Sequence, residues 1–355
     1  MNFTDKSGNT VSRSDILSKC SAPYKVTLSN TGGYLQTQYG LPNTNYFSGS
    51  TVTYYINPYG SGASVCSTRP NLIRGTSNFA GPANIWSPTK GFLTQSTNFS
   101  SYDRNFPTTG ADGLYFDLDI GGIDASQLTW SPVTRGGITA TVSWTRPRSG
   151  TFIGLLGDAI LADEWISDKS SYVTRVTLHG PRASSSQIQS ANPSRLTIPS
   201  LPQTFELVGR DSRGNEVKYG FVLKQWFVTR GNKQDIQSKQ ISWCRSLGYR
   251  LSRVRDLSNA KCGEDSLFPC SGGIDGATPS SGSGWNYQRR IGAGFFTEWG
   301  PLGNYADVDF INFTYWTSDV AGGKGFSVDS EDGCVDSISV DSDMYSSYYA
   351  VCTTP

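Results

Sequence analysis

Trp285, Tyr287, Arg289 and Arg290 stand close together in a stretch that is otherwise rich in Gly and Ser. Nothing in that local pattern asks for a buried aromatic. Tryptophan, tyrosine and arginine on loops dominate protein–protein hot spots, because each joins a large contact surface to hydrogen-bonding edges. Tyr345 and Tyr348 crowd the approach to the end of the chain and complete a set of six candidate ligand-binding residues. The chemistry this set offers is recognition rather than bond making.

Catalytic patterns find little support. The single histidine, His179, lies in Leu-His-Gly-Pro at the end of a strand-like run, and no G-x-S-x-G elbow occurs. A carboxylate pair is the one hydrolytic arrangement left open, since spacing along the chain does not give separation in space. Asp117, Asp119 and Asp124 read as a solvated strand face entering a Gly-Gly turn. Asp329, Glu331, Asp332, Asp336, Asp341 and Asp343 lack the regular ligand positions of a calcium loop and read as an acidic face. The basic residues between Arg213 and Arg255 (Lys218, Lys224, Arg230, Lys233, Lys239, Arg245, Arg250, Arg253) are expected to neutralise that face within one domain, the alternative being that one face presents charge to a partner and steers its approach. No enzyme activity, metal or cofactor is expected.

Seven cysteines are many for a β-rich chain, and no C-x2-C pair or nearby histidine suggests zinc. Disulfides in an oxidising compartment are the better reading. Cys20 and Cys66 are the only two in the first half and pair most simply with each other. Cys262 and Cys270 are close enough to close a small loop. Cys334 is left over as a buried free thiol, unless it takes Cys262 or Cys270 as its partner.

Thirty basic against twenty-nine acidic residues give a net charge of +1, which leaves no basic excess for nucleic acid. At 355 residues, two separately cored domains are expected. No apolar run reaches the roughly 20 residues of a membrane helix. Met1 opens directly on polar sequence without a secretory leader, so the chain reads as a fragment of a larger exported protein.

These residues must be positioned by a mostly β chain, for Thr, Ser, Tyr and Val recur in short runs between turn residues. Leu114, Phe116, Leu118 and Ile120 alternate onto one face, as do Ile138, Ala140, Val142 and Trp144; Tyr172–Leu178 is a third strand. Residues 58–110, rich in Ser, Thr, Asn, Gly and Pro, read as surface loops. The Ser-rich run Arg182–Pro193 is a linker candidate, and the boundary is placed near 200, giving domains 1–200 and 201–355. A helix is expected from Asn232, with Ile236, Trp243 and Leu247 on one stripe and Gly248 as its left-handed end. Val254–Leu257 suggests a short second helix, and Cys262 to Trp285 is loop.

Four fragments of the last third carry a resemblance: Trp243-Cys244 with Gly248 and Leu251, Glu298-Trp299-Gly300 with Tyr305, Tyr315-Trp316-Thr317-Ser318, and Val351-Cys352. Together they resemble the C-terminal tip of intimin/invasin-type adhesins, the bacterial inverse autotransporters. The resemblance implies an immunoglobulin-like β-sandwich with long loops, followed by an α+β C-type-lectin-like domain. It implies that Cys244 and Cys352 are bridged, closing a loop worth roughly 4–5 kcal/mol on a chain-entropy model, and that Trp299, Tyr315 and Trp316 are core. By the same resemblance the function would be adhesion at the bacterial surface, without catalysis, through loops of the C-terminal domain. The partner would be a host protein, with an integrin-like receptor or an immunoglobulin as examples, and an N-terminal outer-membrane barrel would anchor the whole. Sugar-binding C-type lectins hold calcium with Glu-Pro-Asn or Gln-Pro-Asp and Trp-Asn-Asp; none of these is present, and Trp316 is followed by Thr-Ser-Asp. A calcium-independent lectin that stacks glycans on aromatic rings is the alternative.

Overall fold

The computed structural model describes residues 2–6, 8–15, 17–58, 62–262, 273–282, 284–339 and 347–355. The chain forms two compact units: residues 1–64 with 120–124, and residues 65–119 with 125–355. The architecture is mostly β, a sandwich followed by an α+β module, as the sequence led one to expect. Neither unit has a boundary near residue 200.

The first unit is a small antiparallel sheet of Asn2–Thr4, Tyr24–Asn30 and Ser50–Ile56, with a hairpin of Gly33–Gln36 and Thr44–Phe47. Its core is slight: Tyr24 and Val26 are buried, and the Tyr24 ring lies 5.6 Å from Phe3.

In the second unit one sheet runs, in order, Val133–Arg135, Ile138–Thr145, Val173–His179, Tyr115–Gly121, Ser64–Arg69, Gly91–Leu93 and Trp86–Ser87. The other is Thr129–Trp130, Gln203–Arg210 and Glu216–Leu223. Phe116 of the first sheet meets Tyr219 and Phe221 of the second at 6.3 and 6.1 Å, with Phe106 at 5.3 Å. Phe205 stacks on Phe221 at 5.2 Å. The hairpin 203–223, expected to open the C-terminal domain, thus completes the sandwich, because its aromatic face finds its partners there.

The alternating strand holds in part. Leu114, Phe116 and Leu118 are buried, but so are Tyr115 and Asp117 on the opposite face, and Trp144 is exposed. Asp117 is no solvated residue: it accepts from Arg175, which also reaches Asp163 at 2.9 Å and lies over the Tyr115 ring at 4.2 Å. Such a pair persists in the interior because each carboxylate keeps a charged donor.

Residues 65–110 are not surface loops either, for Trp86, Phe92, Tyr102 and Phe106 are buried. Composition hid them, since four aromatics spread over a Ser/Thr/Gly background show no period. The linker candidate is also docked. Ser184 caps a short helix, Ser185–Gln189, and Gln187 accepts from the Trp243 indole at 2.9 Å.

The C-terminal sheet runs Val335–Ser339, Lys324–Asp329, Thr314–Ala321, Tyr349–Thr353, Gln225–Thr229 and Thr109–Ala111, with Arg250–Leu251 also paired to the closing strand. The helix is Gln237–Leu247, buries Gln240, Trp243, Cys244 and Leu247, and ends at Gly248 with φ +91°. It begins later than Asn232 because Asp235 is held extended by a β-bridge to Tyr348. Val254–Leu257 is helical, as expected. Cys244 and Cys352 are bridged, 108 positions apart. Cys20, Cys66 and Cys262 are also in disulfides, Cys270 lies outside the described residues, and Cys334 is a buried free thiol.

Candidate partner-binding surface

The closing disulfide and the antiparallel pairing of Gln225–Thr229 with Tyr349–Thr353 clasp the start and end of the C-terminal module. Between them lie a helix and further strands of the same sheet, whereas the described residues from Ser258 to Gly294 belong to no strand and are held by side-chain and backbone contacts. Asn259 donates its amide to the carbonyls of Pro279 and Gln288 and accepts from the Gln288 N–H at 2.9 Å. Gly276 passes so close that an added Cβ would sit 2.3 Å from the Ser258 carbonyl. The Lys261 N–H donates to Gly284 at 2.7 Å, and the Tyr287 N–H to Asp332 at 2.8 Å.

Between those two anchors Trp285 is 42% exposed. Of the predicted set it alone is both well exposed and described. Tyr287 and Arg289, expected at the surface, are 0% exposed. The Tyr287 hydroxyl donates to Glu331, its ring meets Phe79 edge-on at 5.4 Å, and burial pushes its phenol up from the usual range. Arg289 donates to the carbonyls of Asn71, Ile73, Arg74 and Glu298 and lies over the faces of Trp86 and Tyr287. Burial holds its pKa below the ordinary guanidinium value. A run of Gly and Ser around these residues signals loop backbone correctly, but it does not say which way a side chain on that loop points.

Arg290 is half-buried, donating through Nε and Nη2 to Gln288 Oε1 at 3.3 and 3.1 Å. Tyr348 is half-buried against Trp316 at 4.9 Å, so it serves the frame. Tyr345 lies outside the described residues. Trp299, Tyr315 and Trp316 are core, as expected. Glu298 is fully buried and accepts from the N–H and hydroxyl groups of Thr108 and Thr109 and from the Gly292 N–H. Desolvation raises its pKa while those donors oppose the shift.

The acidic and basic stretches do not pair as blocks. Arg250 meets Asp256 at 2.6 Å, Arg210 meets Glu216 at 2.7 Å and Lys239 meets Asp235 at 3.6 Å, all with carboxylates close by in sequence. Glu331 takes Arg74 at 2.8 Å instead. Asp341 and Asp343 lie outside the described residues. Among the described residues no group of three His, Cys, Asp or Glu is placed to hold a metal ion.

Further exposed aromatics were missed in the sequence. Tyr34, Tyr39, Tyr46, Tyr54 and Tyr55 of the first unit are all exposed. The available signal was charge: no Asp, Glu, Lys or Arg occurs from Val26 to Thr68.

No family model matches the chain, and no curated protein matches it. Among solved structures, the chain is similar to invasin, described as a bacterial integrin-binding protein, at 12% identity and a TM-score of 0.44. That match covers 99% of this chain and 54% of the invasin chain, so this chain spans about half the invasin length. It is also similar to a C-terminal 282-residue fragment of intimin in complex with the intimin-binding domain of the translocated intimin receptor, at 11% identity, covering 93% of this chain and 86% of the fragment, with a TM-score of 0.40. An intimin mutant from EHEC O157:H7 matches at 11% identity over 76% of this chain and 92% of its own, with a TM-score of 0.34.

Proposed function

We propose that this chain is the receptor-binding end of a bacterial surface adhesin, which attaches to a host protein without catalysis. The observation that carries the reading is Trp285: a large exposed indole on a loop whose neighbours on both sides are fixed. A rigid aromatic anchor loses little conformational freedom on binding, which is what a hot spot requires. The motifs that resemble those of intimin/invasin-type adhesins support the same role, as does a disulfide-clasped module that carries a long loop. Anchoring by a barrel elsewhere in the protein belongs to this proposal.

The test is binding of the labelled chain to host cells, with and without Trp285→Ala. Attachment should fall at least about tenfold, as expected for loss of a central aromatic, with the melting temperature unchanged within about 2 °C. Undiminished attachment overturns the placement. Cells stripped of surface protein by protease should lose binding; loss on glycosidase treatment alone would make the partner a glycan and overturn the protein-binding reading.

A further inference from the structure

We infer that the second unit carries an anion-binding cleft that takes the carboxylate side chains of an acidic peptide segment. This rests on the reading of the chain as a protein-binding adhesin and names the chemistry of one contact. The cleft measures about 430 Å³, and Arg104, Lys224 and Arg290 all line it. Asp103 is the only acidic residue in the lining, so three positive charges face one negative charge. No described residue forms a salt bridge with any of the three cations. Elsewhere in the basic segment Lys218, Arg230, Lys239 and Arg250 do have carboxylate partners.

Each cation is presented by backbone that is already fixed. Arg104 ends the turn Phe99–Arg104, and the next residue, Asn105, is fully buried with its side chain bonded to Ser96 and Gly220. Lys224 sits between the strands Glu216–Leu223 and Gln225–Thr229, its N–H donating to Thr108 at 2.7 Å. Arg290 follows the caged Arg289. Three cations lining one cleft repel one another, and an arriving anion relieves that repulsion, offsetting the cost of ordering the exposed Arg104 and Lys224 side chains.

The remaining lining selects the kind of anion. Ile85, Pro279 and Ile291 give apolar wall for the methylenes of Asp or Glu, and Asp103 and Gln95 offer acceptors or donors for peptide backbone. A volume of this size holds two or three side chains. A sulfated polysaccharide needs a basic track along its length, and with a net charge of +1 the chain has no such excess to spread.

The test uses the whole chain and a fluorescein-labelled hexaglutamate peptide, read by fluorescence anisotropy at low salt. Saturable binding is expected, weakening at least about tenfold between 20 and 200 mM salt and at least about tenfold in the triple variant Arg104→Gln, Lys224→Gln, Arg290→Gln. Glutamine retains polarity and length, and circular dichroism melts check that the variant is folded. Hexalysine should not bind. Failure of hexaglutamate to bind at millimolar concentration, or binding untouched by the triple variant, overturns the inference. So does binding of heparin oligosaccharides with none of the peptide. The two readings fail separately: Trp285→Ala tests attachment to cells, whereas this assay contains no cell and keeps Trp285 intact.

Discussion

The guanidinium of Arg289 donates to the backbone carbonyl of Asn71 at 2.8 Å, across 218 positions of chain. Its other donors reach Ile73, Arg74 and Glu298, so every acceptor is a carbonyl, with the rings of Trp86 and Tyr287 at 4.9 and 5.4 Å. One buried side chain thereby joins the segment 71–74 to the loop that displays Trp285. The fork geometry of arginine allows this; an ammonium does not spread its donors so widely.

Arg289→Met should strand several buried carbonyls and cost about 3–5 kcal/mol. Arg289→Lys should recover only part of that loss. Urea unfolding of the three proteins gives the comparison. A loss under about 1 kcal/mol for the methionine variant would show that the carbonyls find water or new partners.

Gly300 tests how tightly the cage is closed. It has φ +75°, and an added Cβ would lie 2.1 Å from Arg289 Nη2. Gly214 has φ +84° but nothing within 4 Å of the same added atom. Gly214→Ala should cost only the left-handed strain, about 1–2 kcal/mol, and Gly300→Ala distinctly more. Equal losses at the two positions would mean that neither the guanidinium nor the Gly300 backbone, with ψ −161°, resists the added Cβ.

The Cys244–Cys352 bridge spans 108 positions. Replacing both cysteines by alanine should lower stability by about 2–5 kcal/mol, since the unfolded chain regains the freedom of a long loop. Thermal melts of the double variant measure it. Cys334 should not substitute as a partner or react readily with alkylating reagents in the folded protein, because burial raises its thiol pKa to about 12.

What could be read from the sequence was whatever had a period or a motif. Trp243 and Leu247 of the helix stripe and its Gly248 stop were legible, though Ile236, expected on that stripe, only caps the helix start; the alternating strand at Leu114–Leu118 and the closing cysteine pair were legible too. The seam was not. Asn71, Trp86 and Phe106 are separated by stretches of Ser, Thr, Gly and Pro, and their burial depends on partners some two hundred residues away, which no local window contains. Tyr287 and Arg289 were misplaced for the same reason: loop composition identified the backbone, while the pocket that receives them is built by residues 71–86. Trp285, two positions earlier, has no such pocket and stays exposed.

Asp332 makes stability depend on pH. Desolvation, with the nearby charges of Asp329 and Glu331, raises its carboxyl from 3.8 to about 6, against opposing contributions from the Cys334 N–H and Arg74. The folded protein therefore holds this proton more tightly than the unfolded chain does. Its contribution favours the folded state in full below about pH 4 and is lost as pH rises through about 6. Asparagine cannot ionise, yet its side-chain oxygen can still accept from the Cys334 N–H, which meets Asp332 Oδ1 at 2.9 Å. The wild-type protein should thus lose stability relative to Asp332→Asn between pH 4 and pH 7, with the difference flat above that range. Melting curves at half-unit intervals would reveal it. Parallel curves throughout would mean that Asp332 titrates like an exposed carboxylate, and that the turn holding Tyr287 is wetter than its geometry implies.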